Sequence, residues 1–573
     1  MAATSPLIQY NTDEMKQRIT YLLPPGTDYD PANIHIGPDS VNITNTAGPP
    51  AIEKRVTAGL SELPAELREI LTSIHELHIR FTSRQPYLAP SPLTSRLPPG
   101  LHVFFTPLAS SPDTNICPLL KSLFSQELKC SSTPQSFSPI SILPGSERFA
   151  RHSSHQYYSP LPKILPFQTW LAKTFCPGSF RGACPNEVAT LSFASYIDID
   201  FDAISHAVTF TAVWRAGIGN PGARTGAKLW GEKDGGGGLE VGVLVPQEAE
   251  EAEEVKLGGY LVVVGEDENP SATVFAFPSR HHPLPSSQDA RFMVGFQQPT
   301  GLHPKMDIMF PRDGLSPPKP GGACALHAYL TLPSAVFLDR YQLSDPAVLK
   351  ENGLVALRSL SGEQDLEAPD WVVERWGSAA LLELSSPPPT KSADGDGDGG
   401  VAVREGGAWE VTVPLHLRYL QAANTSSTLI PGDQGTEGDS YVNLTLPHPA
   451  VFWACEAEEG LKMSTNPFDR VDIGYDGLFG PKTMFFHVPP ATGASYTRGS
   501  SVGSVSGVGV GSGVLESVIR VPVLEPSWGG VVQWGTLGAV VGGLGWVCWG
   551  LVRGMGGTGK KGGKKSGVVG KTE

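Results

Sequence analysis

The nine residues VTVPLHLRY, positions 411–419, carry a large apolar side chain at every second position. A period of two is typical of a β-strand with one buried face. Pro414 stands inside the run, and because proline has no N–H group to donate, it indicates an edge position or a bulge. The same alternation recurs at 197–201, 208–214, 324–332 and 484–488. We therefore predict a mainly β fold of antiparallel, sandwich-like domains.

The composition agrees with this fold class. Glycine (65) and proline (52) make up about a fifth of the 573 residues, well above the usual share. Only 17% of the residues are charged, and a helical bundle would be richer in Ala, Glu, Lys and Leu. The 40% of hydrophobic residues fall in patterned blocks, which argues against a wholly disordered chain.

A second segment, WGGVVQWGTLGAVVGGLGWVCWGLV at 528–552, has no formal charge. As a helix it would be about 37 Å long, enough to cross a hydrocarbon core of ~30 Å. Tryptophans lie towards both of its ends, where indole rings favour the membrane interface. A buried strand pair broken by glycines is the alternative, and the basic tail that follows argues against it. We therefore predict a single C-terminal transmembrane helix.

Gly538 and Gly542 form a GxxxG pair inside this segment. Small residues at that spacing let a second helix approach closely in a membrane. In a glycine-rich chain such pairs also arise by chance, so both interpretations stay open at this point.

The charge of the chain divides around the apolar segment. Residues 553–573 carry six cations and one acid, a net charge of +5, so the rest of the chain carries −19 of the total of −14. An acidic body argues against nucleic-acid binding, which needs a basic surface. The positive-inside rule places the tail in the cytosol, where it can contact anionic lipid, and the body on the opposite side. A tail-anchored protein with a cytosolic body is the alternative, and the charge bias opposes it.

The sequons and the cysteine count agree with a lumenal body, whereas the N-terminal residues show no signal for its translocation. Asn42, Asn424 and Asn443 each begin an N-glycosylation sequon. Cys548 lies in the apolar segment and leaves six other cysteines, which allow 15 pairings that the sequence does not resolve. A small Cys176–Cys184 loop is favoured over a metal site. Residues 1–20 are charged and lack an apolar core, so they predict no cleavable signal peptide.

Stretches rich in proline and glycine suggest where the domains divide. We predict an N-terminal β-rich domain at 1–285, a linker at 286–320 and a second β domain at 321–525. The transmembrane helix then covers 528–552 and a basic cytosolic tail covers 553–573.

Two groups of polar residues invite a functional interpretation. Asp198, Asp200 and Asp202 are two residues apart, a spacing that places them on one face of a strand. We expect that face to be solvent-exposed rather than catalytic. The pairs His281/His282 and His152/His155 lack partners at metal-ligand spacing, so we expect solvated loop histidines.

Two motif matches lack their structural context. Residues 394–405 fit the EF-hand loop, but prolines precede them and a strand-like run follows, so we expect an acidic loop. Residues 554–560 resemble the start of a P-loop, but Lys561 replaces the magnesium-binding Ser or Thr. The sequence has no GxSxG, HExxH or CxxC motif. It therefore predicts no catalytic, cofactor-binding or metal-binding residues.

The second half of the chain resembles the PIG-X family, including its larger fungal members, known as protease-B-nonderepressible proteins. The resemblance covers about 320–525 plus the apolar segment, in the family's order. It is carried by CALHAYLTLPSAVFLDRYQL at 324–343, ENGL at 351–354, DLEAP at 365–369, VPLHLRY at 413–419 and the stretch 443–456. The first half looks like the extension of the fungal members, with ITYLLPPG at 19–26 and IHELHIRF at 74–81.

The resemblance implies a single-pass glycoprotein of the endoplasmic reticulum membrane with its body in the lumen, and we expect no cofactor. It implies a non-catalytic partner that stabilises the polytopic first mannosyltransferase of GPI-anchor synthesis, which adds an α1,4-linked mannose from dolichol-phosphate-mannose. A broader lumenal chaperone or adaptor for folding and protease maturation is the alternative. A glycan-processing enzyme is another, for which the sequence supplies no carboxylate pair.

The resemblance also carries expectations about individual residues. Cys324 and Cys455 are expected to form a disulfide between the first strand of this domain and a later one. The Gly538/Gly542 face is expected to meet a helix of the catalytic subunit.

Overall fold

The fold was analysed in a computed structural model, and its contacts divide the chain into two units. One unit holds residues 1–420 and 444–519, and the other holds 421–443 and 520–573. The structure describes residues 15–44, 51–111, 114–140, 153–176, 183–215, 229–232, 238–251, 253–285, 288, 290–311, 315–318, 323–386, 408–422, 441–457, 466–468, 474–491 and 513–556.

The described residues form mostly strands, which confirms the predicted fold class. The strands are, in chain order, β1 (Lys16–Leu22), β2 (Ile34–Ile36), β3 (Ser40–Ile43), β4 (Ala51–Gly59), β5 (Ile74–Thr82), β6 (Gly100–Pro107), β7 (Ser138–Pro139), β8 (His155–Ser159), β9 (Tyr196–Asp202), β10 (Ala207–Arg215), β11 (Leu229–Glu232), β12 (Leu239–Gln247), β13 (Glu254–Val263), β14 (Ser271–Pro278), β15 (His281–Pro283), β16 (Met293–Phe296), β17 (Lys305–Pro311), β18 (Cys324–Pro333), β19 (Val336–Phe337), β20 (Leu354–Gly362), β21 (Gly377–Leu384), β22 (Ala408–Pro414), β23 (His416–Leu417), β24 (Tyr441–Pro447), β25 (Ala450–Glu456), β26 (Thr483–Val488) and β27 (Glu516–Pro522).

The helices are short apart from the last. They are α1 (Ala65–Leu71), α2 (Cys117–Leu123), α3 (Thr133–Ser136), α4 (Leu165–Phe175), α5 (Ala183–Thr190), α6 (Pro346–Glu351) and α7 (Gly529–Gly556).

An 11-stranded sheet organises the first half of the chain. Its strand order is β14-β13-β12-β1-β4-β10-β9-β5-β6-β8-β7. The pairing is antiparallel except between β1 and β12, which run parallel. This one parallel pair departs from the purely antiparallel expectation.

A six-stranded sheet organises the second half, in the order β15-β26-β25-β18-β21-β20. Its pairs are antiparallel except for β15 with β26. Side chains of both sheets belong to one hydrophobic cluster, which includes Phe104 and Tyr158 of the larger sheet and Phe452 and Phe485 of the smaller one. Burial of these apolar side chains is a favourable term that helps to hold the two halves together.

Direct hydrogen bonds also join the two halves. The Gln156 side chain on β8 donates to the Tyr329 hydroxyl on β18 at 2.8 Å, and the Trp376 indole donates to the Gln156 carbonyl at 3.1 Å. All three residues are buried. The interface therefore has both apolar packing and satisfied polar groups.

The run at 411–419 is divided between two strands. β22 ends at Pro414 and is the edge strand of a three-stranded sheet, in the order β16-β17-β22. After Leu415 the chain continues as β23, which pairs with β19 instead. Pro414 therefore takes the edge position that the sequence indicates, and the alternation continues across a change of partner.

Residues 286–320, predicted to be a linker, contain β16 and β17. Met306, Ile308 and Phe310 on β17 are fully buried. A segment with this much buried apolar surface is part of the folded body. The placing of domain boundaries on either side of it stays a prediction.

Candidate functional site

The polar face of the 11-stranded sheet is buried, not exposed. Asp198 is 2% exposed and Asp200 is 8% exposed, although both lie on the polar side of β9. The expectation that Asp198, Asp200 and Asp202 share a solvent-exposed face is therefore wrong for the first two. The alternation along β9 is as predicted, but protein rather than water covers its polar side.

Arg80 on β5 neutralises Asp198 with two hydrogen bonds. Its Nε and Nη2 atoms each donate to one carboxylate oxygen of Asp198 at 2.6 Å. Its Nη1 atom donates to the Ser95 hydroxyl at 2.7 Å, and the guanidinium lies over the Tyr196 ring. A planar guanidinium suits this two-point contact, whereas a lysine could not form it.

Asp200 contacts His78, which lies two residues before Arg80 on β5. The His78 Nδ1 atom and the Asp200 Oδ1 atom are in hydrogen-bond contact. Since His78 and Asp200 occupy facing positions of the antiparallel pair, the register of β5 and β9 itself brings them together.

A second buried cluster lies on the six-stranded sheet. The Nε2 atom of His281 lies 3.0 Å from Asp476 Oδ2, and its Nδ1 atom lies 2.9 Å from His487 Nε2. His281 and His282 belong to β15 and are buried, so the expectation of solvated loop histidines is wrong for this pair. His155 is half-buried on β8, and His152 lies outside the described residues.

The segment 93–97 connects the two clusters. Besides the Ser95 contact with Arg80, Thr94 donates to the His281 carbonyl at 2.8 Å, and the Tyr475 hydroxyl donates to the Arg96 carbonyl at 3.1 Å. We call the whole group the polar seam. It consists of His78, Arg80, Arg96, Asp198, Asp200, His281, Asp476 and His487.

Burial and neighbouring charges shift the pKa values of Asp476 and His487, two members of the seam. Burial alone would raise the pKa of Asp476, but the adjacent His281 and Arg280 lower it below the usual range of an aspartate. Burial, reinforced by the proximity of His281 and Arg96, lowers the pKa of His487 well below its ordinary value. A neutral His487 adds no further positive charge to a region that already holds the buried Arg96 and Arg280.

The seam is suited to structure rather than to chemistry on a substrate. Asp476 and His281 are at most 1% exposed, so no substrate reaches them from solvent in this arrangement. Within the described part of the chain, no group of three metal-ligating side chains is found. The seam is best understood as a set of paired charges that fixes how the two sheets meet.

The apolar helix α7 is long enough to span a membrane. Residues 526–554 form the candidate span, and residues 530–554 are all exposed. A Cβ atom added at Gly538 or Gly542 would meet no atom within 4 Å. The predicted glycine face is thus open on the helix surface.

An exposed aromatic patch lies in the second half of the body. We define it as Trp371, Val372 and Tyr419, which are 51%, 56% and 67% exposed. The Asp370 N–H donates to the Tyr419 carbonyl at 3.0 Å and holds the two segments together. Below the patch, buried Arg418 donates to the carbonyls of Ser334 and Ala368. Exposed aromatic side chains are typical of protein-binding surfaces.

The structure forms three disulfides among the six cysteines outside α7. Cys324 pairs with Cys455 between facing positions of β18 and β25. Cys176 pairs with Cys184, and Cys117 pairs with Cys130. Cys548 on α7 is a free thiol.

The sequons differ in setting. Asn42 is half-buried on β3, Asn443 is half-buried on β24, and Asn424 lies outside the described residues. Whether they carry glycans stays a prediction. The EF-hand-like residues 394–405 and the basic tail beyond residue 556 also lie outside the described residues.

The sequence matches a known protein family and several fungal proteins. A sequence model of the family "PIG-X / PBN1" matches residues 299–552, from just before β17 to the end of the apolar segment. Protein pbn1 of Emericella nidulans is 40% identical over 555 residues, covering 94% of this chain and 95% of that protein. The chain belongs to the PIG-X / PBN1 family. Protein pbn1 of Neurospora crassa is 38% identical over 547 residues, covering 94% and 95%.

Both halves of the body therefore align with PIG-X / PBN1 relatives. The family model covers the exposed patch, α7 as far as residue 552, and every strand of the six-stranded sheet apart from β15. The fungal relatives also align with most of the 11-stranded sheet. The polar seam draws residues from both regions.

Sequence reasoning missed the polar seam for a physical reason. Arg80 and Asp198 are separated by 118 residues, and His281 and Asp476 by 195. The sequence of a single strand shows that a residue is charged, but not whether it is exposed or buried against an opposite charge on another strand. The one local signal is the matching alternation of basic residues in IHELHIRF and acidic residues in YIDIDFD, which suits facing strands.

Proposed function

We propose that this protein is the non-catalytic, stabilising subunit of the endoplasmic reticulum GPI-α1,4-mannosyltransferase complex. Membership of the PIG-X / PBN1 family supports a role in GPI-anchor biosynthesis. The subunit supports addition of the first mannose by holding the polytopic catalytic subunit in a stable form.

The proposal rests on family membership together with the exposed, glycine-rich surface of the apolar helix α7. An apolar helix whose residues 530–554 are exposed presents its whole circumference to lipid or to other helices. Gly535, Gly538, Gly542 and Gly545 fall on one side at helical spacing. A helix of the catalytic subunit can approach this side closely, because no side chain holds it away.

The exposed patch supplies a second contact in this proposal. Trp371, Val372 and Tyr419 lie in the segment that the family model covers. They would cover a lumenal loop of the catalytic subunit, while the polar seam keeps the body rigid behind them. The proposed orientation has the body in the lumen and the basic tail in the cytosol, following the positive-inside rule.

Depletion tests the proposal in cells. We expect the abundance of the catalytic subunit to fall and GPI precursor without mannose to accumulate when this protein is removed. Normal levels of both would contradict the proposal. Co-purification separates it from the alternative of a broad lumenal chaperone, which would recover many unrelated clients instead of one mannosyltransferase.

A matched pair of variants tests the helix contact. Gly538→Leu/Gly542→Leu places two bulky side chains on the glycine side and should strongly reduce recovery of the catalytic subunit by co-immunoprecipitation. Gly543→Leu/Gly550→Leu adds the same side chains about a third of a turn away and should leave recovery unchanged. Equal losses from both pairs would argue against a specific glycine contact.

A further inference from the structure

A large apolar cavity lies on the opposite face of the 11-stranded sheet from the polar seam. Its volume is about 520 Å³, and it lies between the sheet and the helices α1, α2, α4 and α5. Leu77 and Phe201 line it from the sheet, and Phe167, Trp170 and Leu171 line it from α4. Its volume falls in the usual range of small-molecule sites, roughly 300–1,000 Å³.

The cavity follows from the alternation of the strands. On β5, Leu77 and Ile79 face the cavity, whereas His78 and Arg80 face the seam. On β9, Ile199 and Phe201 face the cavity. Protein cores leave few voids larger than a water molecule, so a space of this size between a sheet and its covering helices is a notable exception.

The polar groups of the cavity are confined to one part of its rim. Among the described lining residues the only charged ones are Lys54 on β4 and Glu187 on α5, which form an ion pair. Gln17 on the adjacent strand β1 lies beside them in register, opposite Val56. The Lys54 side chain is 17% exposed, so its ammonium group borders solvent.

The covering helices are joined close to this rim. The Cys176–Cys184 disulfide links the end of α4 to the start of α5, and Phe175 and Cys184 both line the cavity. The indole of Trp214 in the lining donates to the Thr190 carbonyl at 3.0 Å. The disulfide therefore joins α4 to α5, and the hydrogen bond ties the end of α5 to the sheet.

We propose that this cavity binds the aliphatic chain of an acyl lipid, with an anionic head group at Lys54. An apolar interior with the Lys54–Glu187 ion pair at its rim offers such an amphiphile an apolar site for its chain and one ammonium group for its head. Lys54 has three N–H donors, so it can contact a carboxylate or phosphate while it remains beside Glu187. Acyl lipid is also the apolar ligand that a helix such as α7 brings close to the chain at high local concentration.

This site is separate from the proposed subunit role. It is formed by residues 15–214, outside the segment 299–552 that the family model covers. Lipid binding could therefore fail while the stabilising role holds, and the reverse is equally true.

Photolabelling of the full chain in microsomal membranes tests the proposal. Two probes are used, photoreactive palmitate and the matching neutral photoreactive alcohol. Both should label peptides from α4 or α5. Val208→Trp, which fills the cavity from β10, should abolish this labelling by both probes, whereas Val208→Ala at the same position should retain it. The melting temperature of each variant shows whether it is folded.

Lys54→Met provides a second variant that leaves the apolar lining intact. It should reduce labelling by palmitate about tenfold, as expected for loss of one charge-assisted hydrogen bond, and leave labelling by the alcohol unchanged. Labelling confined to α7, or unchanged labelling of a folded Val208→Trp variant, would overturn the site. An equal response of both probes to Lys54→Met would overturn the assignment of the head group. A third probe, a photoreactive isoprenol, tests the chain, and labelling by it but not by palmitate would overturn the assignment of an acyl lipid.

Discussion

Arg80 shows how one side chain can serve several parts of the fold. It binds Asp198 with two nitrogens and Ser95 with a third, and it stacks on Tyr196. A buried guanidinium needs all these partners because desolvation would otherwise outweigh the attraction of a single carboxylate. The residue type at position 80 is readable from the sequence, but its partners depend on which strands become neighbours.

We expect Asp198→Asn to destabilise the protein by about 3–5 kcal/mol, because it leaves the Arg80 charge buried without its counter-ion. Unfolding by guanidinium, followed by tryptophan fluorescence of the purified full chain, measures this change. Asp202→Asn is the matched control on the same strand. Asp202 is exposed and accepts the Ile204 N–H at 2.8 Å, a bond that an asparagine oxygen preserves, so the change should be within about 0.5 kcal/mol. Similar losses at both positions would contradict the role assigned to the seam.

Strand alternation predicted where several strands lie but not what covers them. β9, β10, β18 and β26 occur where the period of two places them. The same period assigned the acidic face of β9 to solvent, because alternation separates two faces without saying which one is buried. The alternation at 411–417 marks its buried apolar positions, but Tyr419 is exposed and Arg418 is buried. The change of partner after Pro414 depends on β17 and β19, about 75 or more residues earlier in the chain.

Among the links between elements, the Cys324–Cys455 bridge should be the most stabilising of the three disulfides. Its two cysteines are 131 residues apart, and the entropy that the cross-link removes from the unfolded chain stabilises the fold by ~5 kcal/mol. For Cys176–Cys184, whose cysteines are 8 residues apart, the same effect amounts to ~2.5 kcal/mol. Cys324→Ala/Cys455→Ala should therefore lower the melting temperature more than Cys176→Ala/Cys184→Ala. The reverse order would show that the entropy of the unfolded chain does not dominate here.

The molecule as a whole is organised by the two faces of the 11-stranded sheet. One face packs on helices and encloses the apolar cavity, and the other meets the six-stranded sheet through the polar seam. The apolar strands, the C-terminal helix and the family motifs are local features, so the sequence indicates them. The seam and the cavity arise only when distant segments pack together, which explains why neither was predicted.

Burial of neutral histidines makes the stability of the whole body depend on pH. Burial lowers the pKa of His102 to about 3 and that of His327 to about 4. In the unfolded chain histidine has a pKa of about 6.5, so between these values the unfolded state binds more protons. The stability that these residues contribute is therefore complete above about pH 6.5 and is lost as the pH falls. Each buried histidine loses about 1.4 kcal/mol per pH unit in this window.

We expect the free energy of unfolding to drop by about 3 kcal/mol between about pH 7.5 and about pH 5.5 through these two residues. Guanidinium unfolding of the full chain in detergent micelles at both pH values measures the difference. His327→Phe keeps an aromatic ring against Phe452 and Phe479 but binds no proton, so the drop should become about 1.4 kcal/mol smaller. His35→Phe, at an exposed position, is the control and should leave the drop unchanged. If His327→Phe shows the pH dependence of the natural protein, burial of a neutral His327 is not what destabilises the fold in acid.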